Sequence, residues 1–238
     1  MLKLVEKISE LDFLPADPFC AKITAISKTY GTGYDFVRFY VQEQNSAISI
    51  IDGNMTVWCN DNADFEELTA FTNIMGFATL QCSEEVIKKI GFEPDNSSYI
   101  VKYTGDRAVK PSNFTDNWGF KEIYNLLCKC EFDMGDYNYF LTDVCARINK
   151  GTCAFGGIAD KELMSCAFRL FEGNKSALLG AVATSPKHRG KSLASSLVPY
   201  MARGDKDAFL FCRNDGLLKF YEKCGFSCYG KWAVKNMG

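Results

Sequence analysis

The sequence contains one histidine, His188, and no Cys-x-x-Cys pair among its eleven cysteines. Zinc sites need several Cys or His ligands at short spacings, so this pattern excludes a zinc-type site. The cysteines are odd in number and scattered through apolar strand and helix patterns. That distribution favours buried, reduced thiols over disulfides. We therefore expect no metal centre.

Long apolar runs are also absent. No segment reaches the ~18 residues that a membrane helix needs. The N-terminal stretch MLKLVEKISELDF mixes apolar residues with Glu6, Glu10 and Asp12, and it lacks the apolar core and cleavage site of a signal peptide. The sequence therefore predicts a cytoplasmic protein with no membrane partner.

The chain has little net charge, only −2, but its acidic and basic residues are unevenly divided between the two halves. Residues 1–105 contain 8 Lys and Arg against 15 Asp and Glu, a net −7, and residues 106–238 contain 19 against 14, a net +5. A surplus of this size in the second half suits a small polyanion such as coenzyme A. It is too small for nucleic acid as the main partner.

The stretch Ser176 to Leu197, SALLGAVATSPKHRGKSLASSL, predicts an apolar strand, a tight basic turn and a helix. No acid lies between Gly173 and Pro199. Free backbone N–H groups and the positive end of the helix dipole make such a helix start a site for phosphate. An ordinary strand, turn and helix with a solvated basic turn would explain the same pattern.

The turn itself resembles a known phosphate-binding motif. Val182-x-x-x-Pro186, followed by Lys187-x-x-Gly190-x-Ser192, is similar to the pyrophosphate-binding segment of the GNAT (Gcn5-related N-acetyltransferase) superfamily. The family has Gln or Arg where Lys187 stands, and Gly or Ala where Ser192 stands. Lysine offers fewer hydrogen bonds in a less fixed geometry than arginine, which predicts looser phosphate contacts.

A second segment, RNDGLLKFYEKCGF at residues 213–226, resembles the other GNAT signature. The matching positions are Asn214, Phe220, Tyr221, Gly225 and Phe226. The two motifs occur in the order found in the family, which is a stronger signal than either motif alone.

The resemblance implies a set of coenzyme contacts in the second half. The backbone of Val182, Ala183 and Thr184 would hold the pantetheine arm, and Asn214 would contact that arm. Tyr221 would bind the coenzyme and act as the catalytic acid, whereas the residues alone, without the resemblance, favour a core aromatic beside Phe220 in an amphipathic helix. The residues implied around the pyrophosphate are Lys187, His188, Arg189, Gly190, Lys191, Ser192, Leu193 and Ala194.

The predicted fold class is α/β with a mixed sheet, arranged as tandem GNAT-like units, each a mostly antiparallel twisted sheet flanked by helices. Dense turn signals at residues 104–116 place the boundary between a first unit, residues 1–105, and a catalytic unit, residues 106–238. The first unit repeats nearly the same element order, which fits a degenerate repeat or a coincidence between two α/β halves. Acids occupy its corresponding turn, where they would repel phosphate: Asp61, Asp64, Glu66 and Glu67. Residues 1–30 predict two short helices.

The predicted function is an acetyl-CoA-dependent N-acyltransferase, in which a primary amine attacks the thioester directly within a ternary complex. The acceptor would be a small-molecule or peptide amine, and the protein a monomer or homodimer. The residues identify no general base. The alternative is a CoA-binding or acyl-CoA-binding sensor or scaffold without turnover.

Overall fold

A computed structural model describes residues 1–106 and 108–237 of the chain. The predicted boundary segment, residues 104–116, includes Arg107, which lies outside the described residues, as does Gly238 at the end of the predicted second unit. The described strands form one twelve-stranded mixed sheet flanked by helices, which confirms the mixed α/β class. The strands are β1 (Lys3–Leu4), β2 (Val37–Gln42), β3 (Ser46–Ile51), β4 (Asn54–Cys59), β5 (Thr79–Ser83), β6 (Asn96–Tyr103), β7 (Phe114–Thr115), β8 (Ala154–Ala159), β9 (Leu163–Glu172), β10 (Ser176–Thr184), β11 (Asp207–Cys212) and β12 (Phe226–Asn236). The α-helices are α1 (Pro18–Tyr30), α2 (Phe65–Met75), α3 (Glu84–Lys89), α4 (Phe120–Lys129), α5 (Tyr137–Asn149), α6 (Leu193–Ala202) and α7 (Asp215–Lys223).

The first of the two helices predicted in residues 1–30 is wrong. Lys3 and Leu4 instead form a short edge strand paired with Val41 and Tyr40, and only a single 3-10 turn, Ile8–Leu11, follows. The second predicted helix is correct and is α1. It begins where the Asp17 carboxylate accepts hydrogen bonds from two backbone N–H groups of the first turn, and Pro18 occupies the first helical position.

The order of strands across the sheet is β1-β2-β3-β4-β5-β12-β6-β11-β10-β9-β8-β7. The last strand of the chain, β12, pairs antiparallel with β5 on one side and with β6 on the other. In turn, β6 lies between β12 and β11. Each half of the chain therefore contributes its final strand to the middle of the sheet, next to strands of the other half. The sheet is continuous across the predicted boundary.

Helices cover both faces of this sheet because alternate strand residues point to opposite sides. In β10, Leu179 lies in a buried cluster with Leu197 and Val198 of α6. The preceding residue, Leu178, lies in another cluster with Phe19 of α1. Burial of these side chains fixes β10 and α6 against each other, and the turn between them carries the candidate site.

In the described part of the chain, no helix is both long and apolar enough to cross a membrane.

Candidate functional site

The site begins where β10 separates from β11. The two strands pair in parallel only from Ser176 to Leu179. The pairing of β10 with β9 then shifts in register between Gly180 and Ala183, and Ala181 has a left-handed φ of +49°. This bulge turns the end of β10 away from its neighbour. From Gly180 onward β10 has no partner residue on β11, so the edge of Val182 to Thr184 faces the gap between the strands.

The basic turn follows as a 3-10 helix, Pro186–His188, and two left-handed residues. Gly190 has φ +77° and Ser192 has φ +58°, and α6 starts at the next residue. Among the described residues, the backbone N–H groups of residues 190–195 have no hydrogen-bond acceptor within the chain. The start of α6 therefore presents a run of free donors at the positive end of its dipole.

These elements enclose a cleft of about 710 Å³, here called the coenzyme cleft. The structure brings most of the sequence-predicted residues to its wall: Val182, Ala183, Thr184, His188, Arg189, Gly190, Ser192, Leu193, Ala194 and Tyr221. The sequence did not single out other residues of this wall, among them Cys130 and Phe132 from the segment between α4 and α5. No motif marks that segment, because only the folding of α4 and α5 against the sheet brings it beside the end of β10.

Three predicted residues do not line the coenzyme cleft: Lys187, Lys191 and Asn214. Asn214 is the N-cap of α7, where its Oδ1 accepts a hydrogen bond from the Leu217 N–H at 2.9 Å. This contact gives Asn214 a local role in starting the helix. Lys187 lines a neighbouring cavity of about 390 Å³ with Glu162 and Trp118.

Tyr221 lies on α7 and is only 5% exposed. Its ring packs against Phe220 and Phe226, with centroid distances of 5.2 and 5.8 Å. Burial raises the pKa of the Tyr221 hydroxyl well above its usual value, and the neighbouring Cys212 and Cys224 thiols add to the rise. Tyr221 therefore holds its proton at neutral pH, at the wall of the cleft.

An acid that the sequence analysis did not assign to the site pairs with the basic turn. One oxygen of Glu162, in the turn between β8 and β9, lies 2.6 Å from Lys187 Nζ, and the other lies 3.0 Å from His188 Nε2. The hydrogen bonds from Lys187 and His188 lower the pKa of Glu162 to about 2. The Arg189 Nε group donates to the Thr184 carbonyl at 3.2 Å, which ties the turn to the end of β10. Lys187 and His188 of the turn thus already face an internal carboxylate.

The corresponding place in the first half, the start of α2, is closed by the chain's own side chains. The Asp64 carboxylate accepts a hydrogen bond from the Glu67 N–H at 3.0 Å. Gln42 binds Asp64 N–H through its Oε1 and Glu67 Oε2 through its Nε2. Carboxylates therefore occupy the helix start that an anionic ligand would need, which agrees with the repulsion of phosphate expected from the sequence.

The described residues include no group of three or more His, Cys, Asp or Glu side chains that could hold a metal ion.

Comparison with known proteins agrees with these features. Residues 120–226 match the model of the acetyltransferase (GNAT) family. A GCN5-related N-acetyltransferase from Kribbella flavida is 14% identical and has a TM-score of 0.62 over 92% of this chain and 95% of its own. An acetyltransferase from the GNAT family of Colwellia psychrerythraea is 12% identical, with a TM-score of 0.56 over 98% of both chains.

A tandem GNAT protein from the clavulanic acid biosynthesis pathway has the same arrangement along almost its whole length. It is 12% identical, with a TM-score of 0.57 over 98% of this chain and 97% of its own. At such identities the likeness concerns the fold, and it confirms the predicted tandem GNAT-like architecture. No curated protein matches the chain significantly.

Proposed function

Residues 120–226 form a domain of the acetyltransferase (GNAT) family, and from this premise we propose that the chain is an acetyl-CoA-dependent N-acetyltransferase acting on a primary amine. The observation that carries the proposal is the coenzyme cleft. There the unpaired end of β10, the free N–H groups at the start of α6 and the protonated Tyr221 border one space. We also propose residues 1–105 and 106–238 as the two tandem units.

The cleft fits acetyl-CoA in volume and in donors. Its volume of about 710 Å³ lies within the usual range for a small-molecule site. The free N–H groups of residues 190–195 and the Arg189 side chain would hold the diphosphate. The unpaired backbone edge of Val182 to Thr184 would hold the amide groups of the pantetheine arm. Lys191, outside the wall, would add positive charge near the phosphates.

When bound, the coenzyme supplies a thioester carbonyl that a neutral amine can attack. The new C–N bond forms as the C–S bond breaks, and the amine loses one proton to water. The chain contributes orientation of the thioester through β10 and a proton on the Tyr221 oxygen for the departing sulfur. Tyr221 suits this second role because its raised pKa keeps it protonated.

A second candidate function is binding without turnover, as a sensor or scaffold for CoA or acyl-CoA. One observation favours it: the described residues lining the coenzyme cleft include no Asp or Glu that could act as a general base. Its phosphate contacts would be the same, so affinity alone does not separate the two functions.

Release of free thiol separates them. The full chain is mixed with acetyl-CoA and a panel of amines that includes a polyamine, an amino acid, an aminoglycoside and a lysine peptide. We expect amine-dependent thiol release with at least one acceptor, together with a mass increase of that acceptor by one acetyl group. Tight binding of acetyl-CoA with no release above the amine-free rate across the panel would favour the sensor. An absence of binding would exclude both functions.

A further inference from the structure

We propose that a cavity formed by the first unit together with β12 of the second unit is a separate binding site for a small organic cation. The site is a cavity of about 570 Å³, here called the first-unit cavity. Three aromatic side chains line it, namely Phe19, Trp58 and Tyr229, together with three carboxylates, Asp17, Glu84 and Glu85. The proposal goes beyond the acetyltransferase function and does not depend on it.

The first-unit cavity lies where the parallel strands of the first unit separate. Pairing of β4 with β5 runs from Asn54 to Thr56 and then stops. The residues immediately beyond, Val57 to Cys59, line the cavity together with Ser83 at the end of β5. The fold thus opens a gap here, as it does between β10 and β11. The first-unit cavity and the coenzyme cleft share no lining residue.

Acetyl-CoA is a poor occupant for this gap. The start of α2, the helix that follows β4, is closed by Asp64 and its partners, as described above. Among the described lining residues, Lys231 is the one cationic side chain against three carboxylates. Glu84 is paired with Lys88 and Lys231, and Glu85 with Lys89, so the charge left for a ligand is that of Asp17, which favours a cation over a phosphate.

The aromatic walls are held in place by packing. The Phe19 ring lies 5.5 Å from the Phe211 ring, and the Tyr229 ring lies 4.9 Å from the Phe209 ring. Trp58 is half-buried in the same wall. Aromatic faces attract ammonium groups, most strongly when the cation leaves bulk water on binding. Fixed rings lose little conformational freedom when a ligand binds between them.

Asp17 is the carboxylate of the first-unit cavity with which a bound cation would form an ion pair. Glu84 lies 3.3 Å from Lys88 Nζ and Glu85 lies 2.6 Å from Lys89 Nζ, whereas Asp17 forms no ion pair within the described chain. Its Oδ1 accepts hydrogen bonds from two backbone N–H groups at the start of α1. Asp17 is half-buried, and a carboxylate that is partly removed from water without an ionic partner costs folding free energy. A bound ammonium would supply the missing charge beside the aromatic walls.

Calorimetry on the full chain without coenzyme tests the site with phenethylamine and its neutral analogue 2-phenylethanol. We expect saturable one-site binding of the amine and at least about tenfold weaker binding of the alcohol. Asp17→Asn keeps a helix-capping oxygen but removes the charge, so it should weaken amine binding at least about tenfold. At pH 7 the free energy of unfolding of the variant should equal or exceed that of the parent. If the Asp17 charge served only to stabilise the fold, the variant would instead be less stable.

Glu66→Gln is the matched control, because Glu66 is exposed on α2 and does not line the first-unit cavity, and the affinity of this variant for phenethylamine should change less than about threefold. Trp58→Leu should weaken binding through the lost cation–π contact. Equal affinity for amine and alcohol, unchanged binding by Asp17→Asn, or no saturable binding of phenethylamine up to its solubility would each overturn the proposal. None of these results would bear on thiol release from acetyl-CoA.

Discussion

One oxygen of the Glu162 carboxylate lies 2.6 Å from the ammonium of Lys187, so the basic turn before α6 carries its own counterion. Glu162 neutralises part of the positive charge of this turn, so the turn attracts a diphosphate in the coenzyme cleft less strongly. The pair is exposed to solvent, so its effect belongs to binding electrostatics more than to folding stability.

Removing this counterion should strengthen coenzyme binding. Glu162→Gln frees Lys187 and His188, and we expect the Kd for acetyl-CoA to fall about two- to fivefold at low salt. Titrations at rising ionic strength should erase the gain. Asp160→Asn, in the same turn but without an ion pair to the basic turn, is the control and should leave the Kd unchanged. Weaker binding by Glu162→Gln would mean that Glu162 orders the turn for the ligand.

Gly190 should be required for coenzyme binding. Its φ of +77° is one that glycine adopts easily, and a Cβ there would meet no atom within 4 Å. Gly190→Glu would place a carboxylate beside the free N–H groups, and we expect acetyl-CoA affinity to drop more than about a hundredfold. Gly151→Glu, at φ +67° with equally open space between α5 and β8, is the control and should bind normally. Calorimetry on both variants separates backbone strain from site chemistry, and equal losses would assign the effect to strain.

Tyr221→Phe should slow turnover while the fold is retained. The ring contacts with Phe220 and Phe226 remain, so the Kd for acetyl-CoA should stay within about twofold. Loss of the proton donor should lower kcat by roughly one to three orders of magnitude, toward the low end because the CoA thiol leaves partly unaided.

Because burial raises the pKa of Tyr221, the parent should show no loss of activity from the ionisation of Tyr221 up to about pH 9. The control is Tyr200→Phe, on α6 outside the cleft, and an unchanged chemical step in Tyr221→Phe would make Tyr221 a core aromatic.

Residues 106–238 should not fold alone as a native-like unit. The fragment lacks β5 and β6, so β12 would lose both of its neighbouring strands and β11 would expose an unpaired edge in what is normally the middle of the sheet. We expect the fragment to aggregate or to form a molten globule, which keeps its far-ultraviolet circular dichroism signal and loses the near-ultraviolet one. Gel filtration and circular dichroism measure these two outcomes. A fragment of residues 94–238 restores β6 and should be more soluble. A monodisperse, active 106–238 fragment would contradict this expectation.

Stability should depend on pH through Asp17. Burial raises the pKa of its carboxyl to about 6, above the value of 3.8 for an exposed carboxyl. The folded state therefore retains a proton that the unfolded state loses, so this group's contribution to the free energy of unfolding falls as pH rises from about 4 to about 6. Asp17→Asn should gain up to about 3 kcal/mol relative to the parent at pH 7 and nothing at pH 4. Urea denaturation at the two pH values measures this, and a loss at pH 7 would show that the charge itself stabilises the helix start.

The secondary structure around the coenzyme cleft could be predicted because short stretches of sequence determine it. The bounds of β10, Ser176–Thr184, follow from an apolar run that ends at a basic turn. Asn214 stands directly before a helix, a position typical of a helix cap, whereas the family motif predicts that it contacts a ligand. The Glu162 pairing was not predictable, because the carboxylate approaches Lys187 only through the turn between two other strands.

The neighbours of a strand are harder to predict than its existence. The sequence predicts a strand from Phe226 to Val234, which the structure extends to Asn236, but such a strand could pair with any exposed edge. The place of β12 between β5 and β6 depends on the packing of both halves together, which no short segment encodes. For the same reason, the first-unit cavity combines residues from three distant parts of the chain and has no motif.

The central position of β12 also dictates when the protein can fold during its own synthesis. The strand occupies residues 226–236, and its partner β5 leaves the ribosome more than a hundred residues earlier. Throughout that interval the inner edges of β5 and β6 have no partner for their backbone groups, and such edges promote association with other chains. Completion of the sheet therefore waits until β12 has been made, and the nascent chain needs protection for longer than its N-terminal sequence alone would suggest.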